Sequence, residues 1–299
     1  MNRPKVSFIV CTRNRAAVLP LCLESLEAAA AGDGATEIVV VNNNSTDNTT
    51  EVVQAFAAKS ALYIALVNEP RPGLAIARNT GVAAARGEVI VFTDDDCRVA
   101  RDYLTQLMGA YAPHQGPVII GGRVELGDAR DLPMTIKTET QPAVFDGVNA
   151  GAFVIGSNLT MTRSAWDKVG SMDERLGAGT PLKASEETDY IHRAYLAGVP
   201  ILYSPDICVY HFHGRRTAQE VKQLWRGYSI GNGALYAKYF GTPFTRSFRW
   251  NCKNALKEAL NMTRLNPEMG MTYRAMVIGN IEGMLRYWWG TLRGTRRRA

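Results

Sequence analysis

Three consecutive aspartates, Asp94, Asp95 and Asp96, follow the apolar run EVIVFT at residues 88–93. Carboxylates side by side resist ionising together unless a positive charge is near, so this stretch calls for a cation. Oxygen donors at the end of a strand suit a hard divalent ion, Mn2+ or Mg2+, which keeps other positions open for phosphate oxygens and water. In extended backbone Asp94 and Asp96 point to one side and Asp95 to the other. The plainer alternative is a solvated turn in which one aspartate caps a helix starting near Ala100. The position directly after a buried strand favours the cation. Two of the four histidines stand together in VYHFHG, residues 209–214. His211 and His213 share a face of any strand there, and an imidazole can complete a sphere begun by carboxylates. His211 is the better ligand candidate and His213 a candidate for phosphate or a second substrate, against an ordinary structural role beside a strand end. Arg215 and Arg216 come next, suited either to clamping a diphosphate or to a solvated basic turn.

Strands must carry these groups. Short β-branched runs alternate with helical stretches: KVSFIVC before residues 16–31, TEIVVVN before 47–59, ALYIALV before 73–86 and EVIVFT before 100–111. Continuously apolar strands are buried on both faces, which predicts an α/β fold with a parallel sheet covered by helices. Ligands of such sheets sit beyond the carboxyl ends of the strands, where the polar clusters CTRNR, NNNSTDNT and TDDDC fall. Further on, strands are expected near 118–125 and 152–162, a helix near 186–197, and strands at 200–203 and 206–211. From Thr217 the chain reads as helical, with breaks at 241–243 and 266–268, and a boundary is placed near 214.

Composition is consistent with this picture. The 299 residues, 46% hydrophobic and 21% charged, make one large domain or a domain with an appendage, and exclude disordered and fibrous classes. Five scattered cysteines without a CxxC pair point to neither disulfides nor zinc, and fit a reducing cytoplasm. The apolar run after Lys5 is too short for a signal peptide, so no export is expected. From Arg246 onwards eleven Lys and Arg face three Glu, a net +8, which leaves the first 245 residues at −2. Met269, Tyr273, Val277, Ile281, Leu285, Trp288 and Leu292 recur at three- and four-residue spacing beside Arg274, Arg286 and Arg293. That stripe packs on a neighbouring domain or a partner subunit, or lies in the plane of an anionic membrane surface. Glu282 and Arg286 argue against a spanning helix.

The segment RPGLAIARNTGVAAARGEVIVFTDDDC, taken with PKVSFIVCTRNRAAVLPLCLESL and EIVVVNNNSTDNTTEVV, resembles the nucleotide-sugar-binding half of the family 2 glycosyltransferases, inverting enzymes of GT-A fold. GSNLTMTRSAWDKVGSMDERLG, EETDYIHRAYLAG and YHFHG continue the likeness over roughly residues 5–215. The resemblance implies a catalytic domain at 1–214, with a nucleotide-sugar half at 1–117 and an acceptor half at 118–214, and a helical extension at 215–299. It implies that Thr12, Arg13, Asn42, Asn44 and Arg78 hold the nucleoside, that Asp94 and Asp95 border it, and that Asp94 and Asp96 form the Asp-x-Asp pattern that holds Mn2+ or Mg2+, to which the residues alone add His211 as the candidate third ligand. Family members commonly carry an acidic residue where Asn42 stands. Glu187 aligns with the usual general base and Glu186 with the acid before it; an acidic pair can also simply complement a helix dipole. Trp166, residues 156–158 and residues 173–177 would border the acceptor pocket by resemblance, whereas the sequence by itself reads Trp166 as a core residue. The implied partners are a nucleoside-diphosphate sugar, a UDP-sugar favoured, and a saccharide or lipid-linked acceptor, at the cytoplasmic face of a membrane. A homo-oligomer is compatible and nucleic acid is not expected. A sugar-nucleotide pyrophosphorylase and a non-catalytic binding module are the alternatives. The first would usually show a glycine- and arginine-rich loop near the first strand, and no GxGxxG of a dinucleotide oxidoreductase follows that strand.

Overall fold

Four parallel strands form the first half of the main sheet: β1 (Val6–Thr12), β2 (Thr36–Asn42), β3 (Tyr63–Asn68) and β4 (Val89–Asp94), in the order β3-β2-β1-β4. The structure is a computed structural model. It describes residues 5–242, 255–262, 264–266 and 271–296, with side chains up to 292. Alternate strand residues feed two separate cores, as the period of two requires. Phe8, Val10, Ile38 and Val40 pack against α1 (Leu19–Ala29), α2 (Thr49–Ala57) and α4 (Tyr103–Tyr111). Ile9, Val39, Val41, Ile90 and Phe92 pack against α3 (Leu74–Ala84) on the other face. The helices bury what their spacing dictates; α1 buries Leu19, Cys22, Leu23 and Leu26. Only β3, at the sheet edge, is largely half-exposed.

Beyond β4 the sheet becomes mixed. β8 (Leu159–Thr162) pairs antiparallel with both β4 and β6 (Ile119–Leu126), and β6 runs parallel to β9 (Ile201–His211). The short β5 (Cys97–Val99) and β7 (Ala143–Val144) pair antiparallel with β9. Two expectations differ in detail. The strand expected over 152–162 divides into α5 (Ala150–Phe153), a 3-10 turn at Gly156–Asn158 and β8. The two strands expected at 200–203 and 206–211 are one, with a bulge: the register jumps from Ser204 opposite Gly122 to Cys208 opposite Arg123, which accommodates Pro205 within a strand. Thr162 caps α6 (Arg163–Val169), which with α7 (Glu186–Leu196) packs on the second core.

The chain divides into two compact units, one of residues 1–173 and 187–214, the other of 174–186 and 215–299. The second unit holds α8 (Ala218–Lys238), which opens with a capping box between Thr217 and Glu220. A helical stretch at 255–260, α9, follows, then the pair β10 (Arg264–Asn266) and β11 (Met271–Thr272) and the helix α10 (Tyr273–Arg296). Small residues let α8 and α10 meet closely. A Cβ added at Gly233 would lie 2.0 Å from the Asn280 carbonyl oxygen, and one at Gly283 1.9 Å from that of Ile230. Leu176, Leu182, Ala234 and Leu235 form this unit's own small core with Tyr287 beside it. Among the described residues no helix is long and apolar enough to cross a membrane. Of the carboxyl-terminal features singled out in the sequence, Arg246, Cys252, Met269 and 297–299, together with the Arg293 side chain, lie outside the described residues.

Candidate active site

The triple aspartate is a corner rather than a continuing strand. Asp94 ends β4, Asp95 and Asp96 form the turn, and the chain re-enters the sheet as β5. The expectation that Asp94 and Asp96 share one side of an extended segment therefore gives way to three different settings. β5 pairs with β9 in a register that sets Cys97 opposite His211, and this brings Asp96 beside that histidine. His211 Nε2 lies 3.2 Å from Asp96 Oδ1. Arg15 Nη2 reaches Asp96 Oδ2 at 3.2 Å, and Arg15 Nε lies 3.8 Å from Asp95 Oδ1. Asp95 turns inward and accepts a 2.7 Å hydrogen bond from Thr12 Oγ1 at the end of β1. Asp94 pairs with Arg78 Nη2 at 3.4 Å.

Arg78 is buried in α3, donates to the Gly156 carbonyl at 3.2 Å and stands over the Phe92 ring. Its helix lies close to the sheet because Gly81, one turn later, has no side chain: a Cβ there would be 2.4 Å from Ile9 Cγ2. At the neighbouring strand end Asn42 is engaged in its own loop. Its Oδ1 accepts from the Ser45 amide at 3.1 Å and its Nδ2 donates to Thr50 at 2.9 Å. Asn14 and Asn44 both adopt left-handed backbone, at φ 55° and 60°, and Asn14 Oδ1 accepts from the Thr46 amide, so the loops after β1 and β2 are joined. Arg13 and Asn44 are exposed.

Charge explains the electrostatics. Burial first, and then the charge of Asp96, push the Asp95 carboxyl up to about 7 against the Thr12 hydrogen bond. Burial opposes a charge on His211, yet the Asp96 carboxylate outweighs it and raises the imidazole above its ordinary value. Among the described residues, Asp96, Cys97 and His211 are the one group whose ligand atoms all lie within 4.8 Å of one another. Burial holds the Cys97 thiol far above its usual range, so it offers a neutral sulfur while Asp96 and His211 offer oxygen and nitrogen. The carboxylate suits Mn2+ or Mg2+, and the imidazole suits borderline divalent ions. The donor set thus fits the divalent cation that the aspartate run implies.

Glu187 and Glu186 begin α7 and differ in setting. Glu186 is buried, with its carboxylate against Gly177, whereas Glu187 is half-exposed. Asp189, in the same helix, is fully buried and holds Arg193 at 2.9 Å, a framework role. Trp166 stacks on Tyr190 and tilts against Phe92, so it belongs to packing. A cleft of about 590 Å3 in the first unit, lined by Glu88, Tyr111, His114, Thr162 and Asp167 among others, adjoins the start of β4, the opposite end from the aspartates. Sequence reasoning overlooked Arg15. CTRNR contains two arginines, and the left-handed turn at Asn14 sends the second, not Arg13, onto the aspartates. Thr135, which meets His211 Nδ1 at 3.1 Å, carried no signal at all.

Residues 7–163, just over half of the chain, match the family described as glycosyl transferase family 2. The chain is 32% identical over 125 residues to a PGL/p-HBAD biosynthesis glycosyltransferase of Mycobacterium bovis, covering 42% of this chain and 48% of that one. It is 29% identical over 122 residues to the glycosyltransferase AglE of Haloferax volcanii, covering 41% and 40%. A poly(ribitol-phosphate) beta-glucosyltransferase of Bacillus spizizenii is 24% identical over 210 residues, covering 69% of this chain and 32% of its own. The matches thus span about a third to a half of those relatives. Among solved structures, the mannosyltransferase PcManGT of Pyrobaculum calidifontis, in complex with GDP-Man and Mn2+, superimposes with a TM-score of 0.59 at 19% identity, covering 100% of this chain and 77% of that one. TarS 1-349 of S. aureus, in complex with UDP, gives 0.57 at 19%, covering 96% and 92%. The fold is GT-A, and the chain belongs to glycosyl transferase family 2.

Proposed function

We propose that the protein is a metal-dependent inverting glycosyltransferase that moves a sugar from a nucleoside-diphosphate sugar to a hydroxyl acceptor. The observation that carries this is the corner itself: three carboxylates, two arginines and a histidine gathered where parallel strands end. Neighbours of the same fold bind UDP and GDP-Man, and a UDP-sugar is the favoured donor. In this reading Thr12, Arg13, Asn42, Asn44 and Arg78 line the nucleoside site with Asp94 and Asp95. Asp96 and His211, with Asp94, hold the cation. When bound, Mn2+ or Mg2+ neutralises charge on the departing diphosphate. Arg15 and Arg78 keep the carboxylates in place before the ion arrives. Glu187 accepts the proton of the acceptor hydroxyl as that oxygen attacks the anomeric carbon, and its partial exposure leaves it reachable. No covalent enzyme intermediate is needed, so the anomeric configuration inverts.

The acceptor in this reading is a saccharide or lipid-linked saccharide of cell-surface polysaccharide or glycolipid synthesis, met at the cytoplasmic face of a membrane. Exposed Ile278, Ile281 and Leu285 on α10, in a unit whose sequence carries the basic tail, support peripheral attachment to anionic lipid. The test of the central claim is release of nucleoside diphosphate from a panel of UDP- and GDP-sugars with Mn2+, and with the metal chelated. Metal-dependent release that is lost in Asp96→Ala is expected. Release equal with and without chelator, or unchanged in Asp96→Ala, refutes the metal-dependent reading.

A further inference from the structure

His211 is held from behind by one strap, residues 127–135, which follows β6. Three anchors tie the strap to residues 211–214. The Gly127 amide donates to the His211 carbonyl at 2.9 Å, and Gly127 has room only for hydrogen, since a Cβ there would sit 2.5 Å from the Phe212 ring. Asp131 Oδ2 accepts from the Gly214 amide at 2.9 Å and lies 3.9 Å from His213 Nδ1. Thr135 closes the set at His211 Nδ1, with Oγ1 at 3.1 Å and its carbonyl oxygen at 3.3 Å.

Thr135 has φ 54°. A β-branched residue rarely enters left-handed backbone, and surrounding structure must hold it there. The effect of the unusual conformation is to aim two oxygens of one residue at a single ring nitrogen. The direction of the proton follows from donor and acceptor chemistry. The Thr135 hydroxyl donates to the Met134 carbonyl at 2.6 Å, so its oxygen is left to accept, and a carbonyl can only accept. Nδ1 therefore carries the hydrogen. In the neutral ring Nε2 is then a bare lone pair, and it faces a carboxylate oxygen of Asp96 at 3.2 Å. Two acceptors at that distance need a cation or a proton between them.

We infer that Thr135 is a positioning residue for the cation: it fixes the His211 tautomer and ring orientation so that Nε2 is offered to the ion beside Asp96. This rests on the reading of His211 as a metal ligand. Partners behind a ligating histidine typically contribute roughly 10- to 100-fold to metal affinity. Because the Thr135 carbonyl survives any side-chain change, loss of the hydroxyl alone belongs at the low end of that range.

The experiment is titration of the full-length protein with Mn2+ alone, read by the electron paramagnetic resonance of the free ion, with thermal unfolding alongside. Thr135→Val keeps the shape and removes the hydroxyl, and should weaken Mn2+ binding roughly tenfold. Thr135→Ser should bind as the unaltered protein does. Thr135→Gly relaxes the left-handed backbone, so it should weaken Mn2+ binding while its unfolding midpoint stays or rises, a split that a merely structural residue does not give. His211→Ala should weaken binding more, and adding Thr135→Val to it should change nothing further. If His211→Ala is impaired but Thr135→Val and Thr135→Gly bind Mn2+ normally, the positioning role is wrong while the ligand reading stands. If His211→Ala binds Mn2+ normally, the ligand reading fails and the inference falls with it.

Discussion

At the scale of single residues, the proposed chemistry separates into binding and proton transfer. Glu187→Gln should keep donor affinity while the transfer rate falls roughly a hundredfold or more, as loss of a general base does; isothermal titration with the donor and a steady-state assay measure the two quantities separately. Near-normal turnover in that variant, with Glu186→Gln inactive, would move the role to the buried neighbour. A different carboxylate should contribute to acid stability. Glu69, buried after β3, accepts from Arg71 and Thr80, and the Arg71 hydrogen bond chiefly holds it down at about 2 despite burial. A lowered folded value means that the stabilisation is complete above the unfolded value of roughly 4.3 and is lost as pH falls towards 2. With solvent at Arg71 allowed for, the amount is on the order of 2 kcal/mol. Glu69→Gln should therefore flatten the stability curve between about pH 4.5 and 2, measured by urea unfolding at stepped pH; an unchanged slope would remove Glu69 from the acid response. CTRNR, TDDDC and HFH were legible as chemistry because strand ends collect ligand groups. Which arginine reaches the aspartates was not, because one left-handed residue, Asn14, decides it.

Among the elements, the α8–α10 pair is the most sensitive to a single added methyl. Gly233 and Gly283 sit where the two backbones nearly touch. A side chain at Gly283 has to part helices whose contact atoms are main chain and cannot rotate away. Gly283→Ala should cost about 1–3 kcal/mol, the usual range for overpacking, and should speed limited proteolysis within residues 215–299; an unaltered cleavage pattern would mean that the helices separate without cost. The α10 stripe was legible by its spacing, but the face that meets α8 was not part of it. Gly279, Asn280 and Gly283 take the side towards α8, while Ile278, Ile281 and Leu285 are exposed. Periodicity marks apolar positions and is blind to glycine, whose contribution is the absence of a side chain.

For the whole molecule, the membrane proposal has a test that follows from this packing. Deleting residues 267–299 would uncover Ile230, Ala234 and Leu235 of α8, so truncation confounds binding with folding. Replacing exposed Ile281 and Leu285 by Glu leaves the α8 contact intact. The full-length protein should float with vesicles rich in anionic lipid at low salt and less so at high salt, since salt screens the attraction; the double variant should stay in the soluble fraction. Equal flotation of the two proteins would show that this face does not meet lipid.

Apart from β5, the alternation of strands and helices through residue 111, the parallel half-sheet and the placing of polar clusters at its carboxyl edge were legible in the sequence alone, because apolar runs bounded by polar loops encode burial directly. The tertiary structure decided the rest. A corner at Asp95 and Asp96 and the pairing of Cys97 with His211, more than a hundred residues apart, create the candidate ligand group. A strap placed by glycine contacts and a strained threonine stands behind it. Such features depend on register and on which backbone can approach which, quantities that no local pattern of side-chain types carries.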